Sequence, residues 1–138
     1  MKTKFNWAIV PATLTMVLAI APAAFSQTAR TPLSAPIVVR GTSGGSQTHD
    51  SCRGFNFSDT PTQVIQVTEP STALRFNVEG GGQLALLITG PNNPMCIPSA
   101  SGSAINVPGV WQQGTYSVYV GDRPQTSNAF TLSITQGN

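Results

Sequence analysis

From Gln63 onward the chain alternates apolar and polar residues in short runs, the period of a strand with one buried face. Leu74, Phe76 and Val78 stand opposite Arg75, Asn77 and Glu79, and Phe130, Leu132 and Ile134 stand opposite Thr131, Ser133 and Thr135. The clearest run follows Gly114, the turn residue that admits it: Tyr116, Val118 and Val120 fall on one face, Thr115, Ser117 and Tyr119 on the other. Residues 63–69 put Ile65 and Val67 inward and stop at Pro70, which cannot continue a central ladder. In residues 83–89, Leu84, Leu86 and Ile88 share one side while Leu87 takes the other, so this strand is expected to be covered on both faces.

Turn chemistry separates the runs. Gly80-Gly81-Gly82 and Gly90-Pro91-Asn92-Asn93-Pro94 are turns by composition, Met95-Cys96-Ile97 is a short return, and residues 104–107 form a strand closed by Pro108-Gly109. About seven short strands with no helical period predict one all-β domain, an antiparallel β-sandwich with a jelly-roll-like path. That domain is expected over residues 49–138. Residues 27–48, rich in Ser, Thr, Gly and Pro, are expected to be a flexible arm, with Ile37-Val38-Val39-Arg40 able to add an edge strand.

The first 26 residues differ in kind. Lys2 and Lys4 precede an apolar run from Trp7 to Ala21, followed by Ala24-Phe25-Ser26, the pattern of a bacterial-type secretory signal peptide. The apolar run is broken by Pro11 and is shorter than the roughly 20 residues a spanning helix needs, so no membrane span is expected after cleavage. A secreted or periplasmic location follows. Cleavage also removes both lysines, the source of the formal +2, and leaves five Arg against five Asp and Glu. Five arginines scattered singly through a neutral chain exclude a nucleic-acid partner as an expectation.

An exported chain with two cysteines, Cys52 and Cys96, is expected to join them in a disulfide. Closing that loop stabilises by about 4 kcal/mol on the chain-entropy account and would pin the polar segment around Cys52 to the domain. Candidate chemistry is sparse. His49-Asp50 is a histidine beside a carboxylate, but no nucleophile elbow accompanies it, and the residue reads as a loop histidine whose replacement by Ala leaves fold and binding unchanged. The acidic residues are spaced singly, so neither a metal site nor a cofactor is expected. Aromatic rings remain: Trp111 and Tyr119, with Phe55 or Phe57, can offer flat faces to a sugar. Trp111, Tyr119, Asp122 and Arg123 are therefore the candidate binding surface, against the alternative that Trp111 covers one end of the sandwich and Tyr119 packs on a neighbouring strand.

The order of the alternating strand from Leu74 to Val78, then Leu86-Leu87-Ile88-Thr89-Gly90-Pro91, then Gly114-Thr115-Tyr116-Ser117-Val118-Tyr119-Val120 and a closing Phe130-Thr131-Leu132-Ser133-Ile134 resembles the bacterial pre-peptidase C-terminal domain. The resemblance implies a small β-sandwich of the kind appended to secreted enzymes, with roles in substrate or surface binding, secretion or stability. Two departures limit what it implies. The family's Asp-x-Asp pair has no counterpart in residues 84–89, and the chain reads as signal, arm and sandwich with no enzyme domain, so peptidase activity is not implied.

The expectation is an exported, non-enzymatic module that binds a carbohydrate, an envelope polymer or another exported protein. The alternatives are an envelope-associated assembly protein and, weakest, a small hydrolase using His49. Denatured without reductant, the exported protein is expected to take up no thiol label; two reactive thiols would refute the predicted disulfide.

Overall fold

The computed structural model describes residues 28–100 and 102–137. Nine strands occur among them: β1 (Thr28–Arg30), β2 (Ile37–Thr42), β3 (Gln63–Val67), β4 (Thr72–Gly80), β5 (Ala85–Thr89), β6 (Met95–Pro98), β7 (Ile105–Trp111), β8 (Gly114–Gly121) and β9 (Ala129–Gln136). They form two sheets, β1-β3-β8-β5-β6 and β2-β9-β4-β7, antiparallel except where β1 runs parallel to β3. The signal-peptide assignment lies outside the described residues.

The alternation read from the sequence becomes the core between the sheets. Ile65 and Val67 of β3, Leu86 and Ile88 of β5, and Tyr116, Val118 and Val120 of β8 face Leu74, Phe76 and Val78 of β4 and Phe130, Leu132 and Ile134 of β9. Burial of these rows is the main favourable term for a domain of this size. Leu87 and Ala85 project from the other face of β5 into a second cluster with Cys52, Phe55 and Phe57. That strand is covered on both faces, as its sequence implies.

Two expectations need correction. Residues 28–42 are not a flexible arm, because β1 and β2 are edge strands of different sheets; β2 is the edge strand expected at residues 37–40, extended to Thr42, and β1 was not expected. Thr31 fixes the crossing: its backbone N–H donates to the Gln66 carbonyl at 3.0 Å, and its own carbonyl accepts from the Thr68 hydroxyl at 2.7 Å. The Leu33 N–H then donates to Gln136 Oε1 on the other sheet at 2.7 Å. Composition undervalued this segment because an edge strand needs only backbone pairing and a half-buried row, here Ile37 and Val39 packed against the core. The second correction is that Pro108-Gly109 does not close β7 but lies within it, opposite Arg75 and Leu74 of β4. β7 is the edge of its sheet, where a residue without an N–H is tolerated.

The two motifs that carry the family resemblance interlock. A β-carbon on Gly90 would enter the ring of Tyr116, and one on Gly114 (φ +150°) would meet Pro91. Tyr116 cannot swing away, since it is buried and its hydroxyl donates to the Gln112 carbonyl at 2.8 Å. Burial raises its pKa and the bond to Gln112 partly offsets this. Gly90→Ala is expected to cost about 1–3 kcal/mol as an overpacking change. Gly81→Ala, whose nearest contact would be an ordinary 3.7 Å to Asn128 Oδ1, should stay within about 1 kcal/mol of wild type in urea unfolding.

Candidate functional site

The outer face of the first sheet is partly covered by the segment between β2 and β3, and that cover makes the site. Among the bonds that hold the segment are these three. The Asn56 N–H donates to the Asp122 carbonyl at 2.8 Å and Asn56 accepts the Asp122 N–H at 3.1 Å. Gln47 and Phe57 pair through their backbones at 2.9 and 2.7 Å. Cys52, in a single 3-10 turn at Asp50–Cys52, is disulfide-bonded to Cys96 on β6, with Cα atoms 5.4 Å apart.

A carboxylate organises the first tie. Asp122 is 1% exposed, and a charge at that depth persists only with donors around it. It accepts from Ser43 Oγ at 2.7 Å, Asn128 Nδ2 at 2.6 Å, the Arg123 N–H at 2.8 Å and Thr126 Oγ1 at 3.0 Å. Burial by itself would raise its pKa, but these bonds outweigh burial and hold it below the ordinary 3.8.

Between the tied segment and the sheet lies a groove of about 430 Å³. Leu87 and Thr89 of β5 and Tyr119 of β8 line it from the sheet; Gln47, Thr48, His49, Ser58 and Asp59 line it from the cover. The Tyr119 ring is half-buried and stands edge-on to Phe57, with centroids 6.4 Å apart and planes at 76°. Its hydroxyl makes no hydrogen bond among the described residues. His49 caps the 3-10 turn: Nδ1 accepts from the Ser51 N–H at 3.1 Å, so in the neutral ring the proton sits on Nε2 and that nitrogen is a donor. The groove thus combines an aromatic wall with hydroxyl, amide, imidazole and carboxylate groups.

The structure separates the four residues grouped as one surface in the sequence. Tyr119 lines the groove. Asp122 is internal and bears no surface, because its oxygens are consumed by the donors described above. Arg123 is exposed but packs down on the cover, its guanidinium 4.4 Å from the Phe55 ring centroid, Nε donating to Gln83 Oε1 at 2.9 Å and a terminal nitrogen to the Gly54 carbonyl at 3.3 Å. Trp111 ends β7 and caps the core edge-on to Phe76 and Tyr116, at 5.1 and 5.3 Å between centroids, with 9% of its surface exposed. It belongs to a different, smaller cleft of about 170 Å³ with Met95 and Val110. Sequence reasoning did not select Gln47, Ser58, Asp59 or Thr89. The signal for them was the disulfide itself: Cys96 pairs opposite Leu87 in the sheet, so bonding Cys52 to it draws residues 47–52 beside Leu87 and Thr89.

Asp122→Ala is expected to cost about 2–5 kcal/mol at pH 7, since four donors would lose a buried acceptor. A carboxyl with a depressed folded-state pKa stabilises fully above its ordinary value and loses that contribution as pH falls through the folded-state pKa. Urea midpoints of wild type and Asp122→Ala should therefore converge below pH 3.8.

No family model matches the chain. Among solved structures it is similar to the pre-peptidase C-terminal domain of a Bacillus anthracis collagenase, at 16% identity and a TM-score of 0.49 over 83% of this chain and all of that one. It is also similar to a periplasmic inhibitor of g-type lysozyme from Salmonella Typhimurium, at 8% identity and a TM-score of 0.41 over 81% and 100%. An uncharacterized protein of Synechococcus elongatus is 30% identical over 131 residues, 94% of this chain and 96% of that one. An end-to-end match at that identity makes the two chains kin: this protein belongs to the family of the Synechococcus elongatus protein.

Proposed function

We propose that the protein is an exported, non-catalytic module that binds a carbohydrate of the cell envelope in the groove beneath His49. The observation that carries the reading is the half-buried ring of Tyr119, whose hydroxyl makes no hydrogen bond among the described residues, beside the polar side chains of Gln47, His49, Ser58 and Asp59. Sugars present flat C–H faces and rims of hydroxyls, and a partly covered ring with donors and acceptors around it matches both. Asp59 is the one carboxylate along the groove and no Lys or Arg lines it, which favours a neutral polymer over an anionic one. Export is supported by the signal pattern in the sequence and by the Cys52–Cys96 disulfide, which persists in oxidising compartments.

His49 serves this reading as a donor along the groove and no longer as a bystander. The same geometry argues against the hydrolase alternative, because the nitrogen with a free lone pair already accepts from Ser51 and the other carries the proton. Assembly through sheet edges is a second reading, favoured by Val110 on edge strand β7, which is 64% exposed, and it would appear as an oligomer in light scattering.

In titrations against a panel of neutral glycans and peptidoglycan fragments, Tyr119→Ala is expected to weaken the best ligand about tenfold, the worth of an aromatic contact of about 1.4 kcal/mol. His49→Ala should weaken it about three- to tenfold through one lost hydrogen bond. Absence of binding at millimolar glycan, or full affinity in Tyr119→Ala, would overturn the reading.

A further inference from the structure

We propose that the Cys52–Cys96 disulfide is a redox catch on the groove and is not a requirement of the sandwich: reduction releases the rim that carries His49 while the two sheets stay folded. The inference rests on the reading of the groove as the binding site and concerns how that site is held in place.

The two halves of the cover are anchored differently. Its later half is fastened independently of sulfur, by the paired backbone bonds of Asn56 with Asp122 and by the Thr62 N–H, which donates to the Val118 carbonyl at 2.7 Å, and Phe57 pairs with Gln47 within the cover. Ser43, where the cover begins, is fastened by Asp122 and by the Asn128 N–H, which donates to Ser43 Oγ at 2.9 Å. Residues 48–54 have less. The Ser51 and Cys52 N–H groups bond back to His49 within the same turn, at 3.1 and 2.9 Å, and so hold the turn together without holding it to the sheet. Among the described residues, the hydrogen bond from this stretch to the body of the domain is the exposed one from Arg123 to the Gly54 carbonyl, at 3.3 Å. The disulfide is what fastens the turn to β6.

The sandwich has separate support. The main core, from Ile65 to Ile134, contains neither cysteine, and the ladders of β3 with β8, β8 with β5, and β4 with β9 are closed without them. Cys96 sits on a four-residue edge strand, so the bond joins two peripheral elements.

The sulfurs are also unequal. Cys52 is buried, whereas Cys96 is half-exposed on β6. A dithiol reductant would meet Cys96 first. One of its thiolates attacks Cys96 Sγ and the Cys96–Cys52 bond breaks, with Cys52 leaving as a thiolate that takes up a proton. The second reductant thiolate then attacks the mixed disulfide, forms the reductant's own internal disulfide and releases Cys96, which is protonated in turn. Two electrons and two protons pass to the protein, and the reductant is oxidised by the same two electrons. Reoxidation restores the catch.

The test compares the oxidised protein, the same protein in dithiothreitol, and Cys52→Ser/Cys96→Ser. Amide hydrogen exchange reads the catch without reference to any ligand. Amides of Ser51 and Cys52 should exchange at least about tenfold faster in the latter two samples, while those of Ile65, Val118 and Leu132 stay protected and the circular dichroism stays that of a β-sandwich. Affinity for the neutral glycan bound best by the oxidised protein should fall about tenfold and return on reoxidation. Loss of protection throughout the sheets on reduction would overturn the proposal by making the disulfide a requirement of the fold. Unchanged exchange at residues 48–54 would overturn it by showing the turn held without sulfur. Should no glycan bind the oxidised protein, the binding reading fails, and the exchange data still decide whether the catch exists.

Discussion

A carboxylate taken out of water at the end of β8 is the constraint on which much of this structure depends. Asp122 must collect donors to stay charged at 1% exposure, and the donors come from the exit of β2, from its own successor and from the connection into β9. Meeting that requirement brings together segments that local propensity would not join. The backbone of the same residue pairs with Asn56, so the chain between β2 and β3 is laid across the sheet at a fixed place. The polar cluster therefore decides where the cover lies, and the hydrophobic cluster of Cys52, Phe55, Phe57, Ala85 and Leu87 decides how closely it lies there. Burying a charge is expensive, and here the expense secures the position of a loop more than it adds to the core.

The central strands were legible because their cause is local. β4, β8 and β9 each bury every second side chain, and the alternation survives in the sequence whatever the partner strands are. The interlock of Gly90-Pro91 with Gly114 and Tyr116 has a sequence signature for the same reason: each glycine marks a place where a β-carbon would collide. Edge strands are another matter. β2 was legible as an edge strand only at its apolar run, Ile37-Val38-Val39-Arg40, whereas β1 is made by pairing with residues 64–66 and nothing in Thr28-Ala29-Arg30 reports that pairing. Pro108 misled for the converse reason, since a proline ends a central strand but not an edge one, and position within the sheet is a property of the whole fold.

The candidate site was legible only through its fixed points. Cys52, Cys96 and Tyr119 could be named from residue type and phase, whereas the groove exists because a disulfide and a buried carboxylate hold a polar segment a few ångströms above a sheet. Trp111 shows the opposite case. Residue type made it a natural platform, yet the strand that carries it ends over the open end of the core, where Phe76 and Tyr116 take up its ring. Asp122 was singled out for a surface and proved to be the most enclosed charge among the described residues.

Taken together, these placements divide the labour between the two faces of one sheet. The inner face of β5 and β8 carries Leu86, Ile88, Tyr116, Val118 and Val120, whose burial stabilises the domain; the outer face carries Leu87, Thr89 and Tyr119, which meet the cover. Adjacent residues in the chain therefore answer to different requirements. Val118 is constrained by packing density, where a change of one methylene is felt, and Tyr119 by its edge contact with Phe57 and the wall it gives the groove. A period of two keeps these requirements apart, so the outer row can change its chemistry without disturbing the inner one. A shared fold alone therefore carries no ligand with it, and the groove residues have to be argued on their own chemistry.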